Sequence, residues 1–275
     1  MDSSDTMSRT VLTGHSFVEP LMWLHALCAI LLTVGYALRE WGAHNNYLYG
    51  PTDKTPLIVF IVSQVFIYVC PPLLELSNYR VLGRLFAYVP HCAPLPANRV
   101  LAIFGGLMAA VEALNAVGVS LAVSPSGGGG GGTRSLGQNL TIAAVSIQVA
   151  VLAAFAALAG RFHARCARAR LAARAVRATL LVLYASTALI LARCVYRLVE
   201  HAETAEAALG DAEEEALRGL SPLQRCEAYF YVFEAAQMLL NSALWNAWHP
   251  GRLLPRGSRV YLAEDGTETE ITLVK

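Results

Sequence analysis

The sequence predicts an all-α, polytopic integral membrane helical bundle, and three observations carry that prediction. Of 275 residues, 55% are hydrophobic and 15% charged. Mean hydropathy is +0.46. The apolar residues also gather into six runs of close to twenty, each apolar all round. A soluble core cannot absorb that apolar share, and a soluble helix would show an apolar stripe against a polar face.

Residues 1–19 are polar, and the apolar run that follows lacks a small-residue cleavage site. A cleavable signal peptide is therefore not expected, and the first run serves as the insertion signal. That run covers 21–38 and ends near Tyr36 and Arg39. The second, 56–76, carries Gln64; the third, 100–123, carries Glu112 and Asn115; the fourth, 139–160, carries Gln148. The fifth, 178–198, runs into Arg193, Arg197 and Glu200, and the sixth, 226–248, holds Glu227, Glu234 and Asn241. Each approaches the roughly 20 residues that cross a bilayer. Residues 20–248 are thus read as the bundle and 249–275 as a cytosolic tail.

Lys and Arg set the orientation. One side collects Arg9; Arg80, Arg84 and Arg99; Arg161, Arg165, Arg168, Arg170, Arg174 and Arg177; and Arg252, Arg256, Arg259 and Lys275. The other side holds Arg39, Lys54, Arg134, Arg218 and Arg225. Fourteen against five places both termini in the cytosol. The acidic run 201–217 and the Asn139-Leu-Thr sequon then fall outside, with Asn139 too close to the fourth span for glycosylation to be expected. The plasma membrane is the expected location.

Several motifs lead nowhere. The loop SGGGGGGTRS, residues 126–135, has phosphate-loop glycine spacing, but Thr133-Arg134 stand where Lys-Ser is required. It reads as a flexible linker. The arginines of 161–177 form stripes on opposite helical faces, which suits topology determinants, with anionic headgroups as a further possibility and nucleic acid not expected. The seven histidines include no pair at i+3 or i+4, and the six cysteines no C-x-x-C. Neither a metal nor another cofactor is expected. No Gly-x-Ser-x-Gly elbow or other catalytic constellation stands out, so the chain does not read as an enzyme.

The polar content of the spans remains. Arg193, Arg197 and Glu200 stand at i, i+4 and i+7, one face of a helix. Glu227, Glu234 and Asn241 repeat every seven residues and form a slowly drifting stripe. The fifth and sixth spans are antiparallel, so counting depth from their outer ends brings Arg197 near Glu227 and Arg193 near Glu234. An unpaired charge inside the membrane is expensive, and these pairings relieve it. Glu112, Asn115, Arg193, Arg197, Glu200, Glu227, Glu234 and Asn241 are the candidate substrate-binding residues. Two uses stay open: glue between helices, or a polar cavity in the outer half that binds a ligand.

Residues 228–251, AYFYVFEAAQMLLNSALWNAWHPG, together with ARCVYRLVE, resemble the fungal RTA-like family, named for resistance to aminocholesterol and also called lipid-translocating exporters. The resemblance runs from about Val34 to the tail through Gly35-Tyr36-x-x-Arg39, Gln64, Pro71, Tyr79, Gly83-Arg84, Phe104 and Gly118. It implies a fungal membrane protein that exports or translocates lipids such as sphingoid bases, or confers stress resistance to toxic amphiphiles. The family typically has seven helices with an outside N-terminus. The first span here resembles the family's second, so the first family helix has no counterpart among the six. Leu32 and Met108 replace two acids of the family pattern and Asn115 replaces a glutamine, while Glu112 stands one turn from Met108.

Membrane lipids or amphiphilic small molecules are thus the expected partners. With no nucleotide-binding motif in these residues, the driving force would come from an ion gradient, the substrate's own gradient or a partner. The alternative function is a lipid sensor or stress-response receptor in the seven-helix style.

Overall fold

The computed structural model describes residues 18–44, 55–123, 130–169, 173–207, 227–255, 260–263 and 267–270. Six long helices form the body: α1 Val18–His44, α2 Thr55–Tyr88, α3 Ala97–Val123, α4 Gly130–Arg168, α5 Arg174–Ala207 and α6. Helix α6 is built of an α turn, Glu227–Phe230, a π segment, Tyr231–Ala236, and an α segment, Gln237–Ala247. A short α7, Pro250–Leu253, leads to an antiparallel pair, β1 Val260–Leu262 and β2 Glu268–Glu270.

The helices are longer than their apolar runs. Polar residues after Leu76 read as an exit from the bilayer, yet α2 continues to Tyr88, and Ser77, Asn78 and Arg84 are buried, Asn78 against Ser186 of α5. The glycine stretch needs a larger correction. Its C-terminal part, from Gly130 through Ser135, is the start of α4 and not a linker. Glycine disfavours helix by about 1 kcal/mol per residue, yet the helix runs through these positions. A Cβ on Gly137 would lie 2.5 Å from the Ala122 nitrogen and 2.7 Å from the Gly118 oxygen, so α3 and α4 meet backbone to backbone.

Among the described residues, four helices, over Ile58–Tyr88, Ala97–Ala122, Gly132–Arg168 and Arg174–Thr204, are long and apolar enough to cross a membrane. Between 22% and 50% of the residues in their most apolar windows are buried. Exposed Trp23, Ile30, Leu181, Leu239 and Leu240 give the outside of the bundle an apolar surface suited to lipid.

The interior divides by depth. Toward the end that the arginines assign to the cytosol, Tyr79, Phe104 and Phe155 pack with ring centroids 4.9–5.5 Å apart, and Phe86 meets Phe162 at 4.9 Å. These rings belong to one continuous apolar core that extends to Leu254 and Leu262 of the tail. The tail is tied down where Arg84 Nη2 donates to the Pro255 carbonyl at 3.1 Å and the Tyr88 hydroxyl donates to Glu268 at 2.7 Å. Cys28 and Cys70 seal α1 to α2, each thiol directed at the other's carbonyl. All five described cysteines are free and buried.

Candidate functional site

Toward the other end the interior holds a polar cluster beside a second, smaller apolar one that includes Cys70, Ile190 and Cys194. Residues from α2, α3, α4 and α5 enclose a partly open cavity of about 30 Å³, bordered by Tyr68, Glu112, Asn115, Gln148, Arg193 and Arg197. A water centre needs roughly 10–15 Å³, so the space suits one or two groups of water size.

Pro71 and Pro72 stand inside α2 beside this cavity, and Pro72 lines it. Proline has no N–H, so both remove a helical hydrogen bond at this level. Tyr68 precedes them and Glu75 follows, and both engage in polar contacts across helices. Tyr68 faces Arg197, whose guanidinium lies 4.5 Å from the ring centre and donates to the hydroxyl at 3.2 Å. Arg197 also donates to Glu200 at 3.0 Å, one turn on along α5.

Arg193, 6% exposed, and Glu234, 0% exposed, form a buried ion pair between α5 and α6, as the depth count places them. Arg193 Nε and Nη2 both donate to Glu234 Oε1, the first at 2.8 Å. Glu234 lies within the π segment, whose i→i+5 bonding widens one turn. Tyr196 stacks on Phe233 at 5.3 Å beside it, and Arg39 of α1 sits 4.1 Å over Phe230.

Glu75 is the carboxylate that the sequence reading passed over. Fully buried, it accepts from Gln148 Nε2 at 2.7 Å and from the Tyr79 hydroxyl at 3.1 Å. It ends the second apolar run and so reads as an exit residue. Its position seven residues after Tyr68 and four before Tyr79, on one helical face, is the signal that could have found it. Ser186 was missed as well: it accepts from Trp245 Nε1 and donates to Asn78, joining α2, α5 and α6.

The structure thus brings Glu112, Asn115, Arg193 and Arg197 to one cavity, with Glu234 and Glu200 holding the two arginines. Asn241 is fully buried with both amide atoms unpartnered, but it does not line the cavity. The Glu227 side chain lies outside the described residues. Met108 packs in the apolar core, whereas Glu112, one turn on, lines the polar cavity. Glu112 makes no salt bridge among the described residues. Among the described residues the cavity therefore holds two cations already engaged by acids and one acid that forms no salt bridge.

Beyond α6, His249 Nδ1 accepts from the Gly251 nitrogen at 3.1 Å and caps α7, with Pro250 in its first turn. Burial, with Arg252 beside it, holds the His249 imidazole below its ordinary range and keeps the ring a neutral acceptor.

Comparison with known proteins gives one consistent result. Residues 25–257 match the family model described as RTA1 like protein. A lipid-translocating exporter-like protein RTA1 of Leptosphaeria maculans is 52% identical over 252 residues, which are 91% of this chain and 48% of that protein. A lipid-translocating exporter-like protein RTA1 of Ajellomyces capsulatus is 27% identical over 248 residues, covering 87% of this chain and 73% of that protein. The chain spans about half the length of the Leptosphaeria relative. No solved structure matches the chain.

Proposed function

The chain belongs to the RTA1-like family, and from that premise we propose that it is a carrier, not an enzyme, which binds the head of an amine-bearing amphiphile and moves such molecules across or out of the membrane. One observation carries the choice of an amine: Glu112 faces the cavity without a salt bridge, while Arg193 and Arg197 are already engaged by Glu234 and Glu200. A buried carboxylate without a cation attracts one. The cavity has room for a group of water size, which an ammonium approaches, and its lining is mostly polar. The relatives' names, lipid-translocating exporter-like protein, support movement of a lipid. In this proposal the protein resides in the plasma membrane with both ends cytosolic, as the arginine asymmetry favours, and the cavity opens in the outer half.

Proteoliposomes of the purified chain test this. A fluorescently labelled long-chain amine in the inner leaflet should reach an external quencher faster than in protein-free vesicles, and its N-acetylated counterpart should not. Glu112→Gln should remove the difference while leaving the protein folded. Binding of the amine with no acceleration would favour a lipid sensor in place of a carrier.

A further inference from the structure

One carboxylate lines the cavity and a second lies just behind it, and neither forms a salt bridge with the arginines among the described residues. Glu112 lines it directly, and Glu75 stands one side chain behind, joined to the lining by Gln148. The polar groups acting on Glu75 are Tyr79 on its own helix, Glu112 on α3, Gln148 on α4, and Arg193 and Cys194 on α5. Arg193 is held by Glu234. The two groups in hydrogen-bonding contact with Glu75, an amide and a phenol, are both neutral.

An ionised carboxylate deep in a bilayer, with only neutral donors, is strongly disfavoured. A proton removes the charge, and the Tyr79 hydroxyl can turn to accept it. A cation arriving one side chain away reverses the preference, because a nearby opposite charge favours the ionised form. Neutral Gln148 is hydrogen-bonded to Glu75 and stands between it and the cavity.

We propose that Glu75 is a proton-binding site coupled to the cavity, so that an ammonium head entering beside Glu112 expels one proton from Glu75. The step balances in charge and atoms: R–NH3+ enters, Glu75 passes from COOH to COO−, and one H+ leaves to water. The amine keeps its own protons throughout. This inference rests on the amine-binding reading and supplies its driving force, with protons moving inward as the amphiphile moves outward.

Calorimetric titration of the purified chain in detergent with octylammonium tests it. Two buffers of different ionisation enthalpy, over about pH 5 to 8, count the protons released per ammonium bound. Glu112→Gln protein provides the correction for partition into micelles. Wild-type protein should release about one proton per ammonium, with association tightening up to about tenfold per pH unit. Glu75→Gln can keep both hydrogen bonds and mimics the protonated acid; it should bind with no release and little pH dependence. Wild-type binding without proton release overturns the coupling and leaves the amine reading standing. Release that persists in Glu75→Gln overturns the assignment to Glu75. No octylammonium binding by wild-type protein, above the Glu112→Gln level, overturns both.

Discussion

Replacing Arg193 by methionine, or Glu234 by methionine, leaves one member of a buried ion pair behind, and the two remainders differ chemically. Both side chains are buried, and both guanidinium contacts converge on Glu234 Oε1. Removing one partner of such a pair destabilises by about 3–5 kcal/mol, against a total of about 5–15 kcal/mol for a typical domain. An abandoned carboxylate can take a proton. For an ordinary carboxyl near 4.3 that step costs about 3.7 kcal/mol at pH 7, at 1.36 kcal/mol per pH unit. This caps the penalty in Arg193→Met and makes it depend on pH. The folded variant holds a proton that the unfolded chain releases above about pH 4.3, so the fold gains stability as pH falls. A guanidinium has no such exit, since it stays charged. Thermal unfolding in detergent should therefore show the Arg193→Met deficit shrinking by about 2.7 kcal/mol from pH 7 to pH 5, while the Glu234→Met deficit stays constant. Charge exchange, Arg193→Glu with Glu234→Arg, should recover much of the loss. Equal deficits with no pH dependence, together with a coupling in the double-mutant cycle below about 0.5 kcal/mol, would refute the pairing argument.

The other expectations are simpler. Gly137→Val should destabilise by about 1–3 kcal/mol through overpacking, because even a Cβ meets the α3 backbone; Gly160→Ala, with nothing within 4 Å, should be neutral or gain up to about 1 kcal/mol, as melting temperatures would record. Glu112→Gln should lower cellular tolerance of a toxic long-chain amine at unchanged protein abundance, measured by growth and immunoblot. Protonation of His249 breaks the α7 cap: the stability it supplies is complete above the ordinary histidine value of 6.5 and is lost as pH falls through the lower folded value. Limited proteolysis should then cut the tail faster in acid, and His249→Asn, which retains an acceptor, should weaken that pH response. A reporter after Lys275 should read as cytosolic and a tag within 126–129 as external.

The six helices were legible because each carries an all-round apolar run, a signal that depends on the lipid-facing exterior and little on partners. Arg193 with Glu234 was legible because antiparallel neighbours convert sequence position into depth. The ends of the helices were not. Ser77 and Asn78 look like an exit from hydrocarbon until the helices that bury them are known. Gly130 to Ser135 look like a linker because glycine's weak helix preference gives no hint that α4 begins there. Glu75 was missed for the first of these reasons, since a carboxylate at the edge of an apolar run is ordinarily wet. The π segment around Glu234 has no sequence signature at all, being a product of packing.

The polar lining of the cavity bears on which molecules compete for it. Tyr68, Glu112, Asn115, Gln148, Arg193 and Arg197 offer an alkyl chain little apolar surface, so a bound amphiphile should keep its tail in hydrocarbon and with it the roughly 0.8 kcal/mol that each methylene gains there. Chain length then goes unread. Homologues with longer or shorter tails should compete on nearly equal terms once membrane partition is normalised, whereas successive N-methylation, which enlarges the head a methyl at a time, should exclude them in steps.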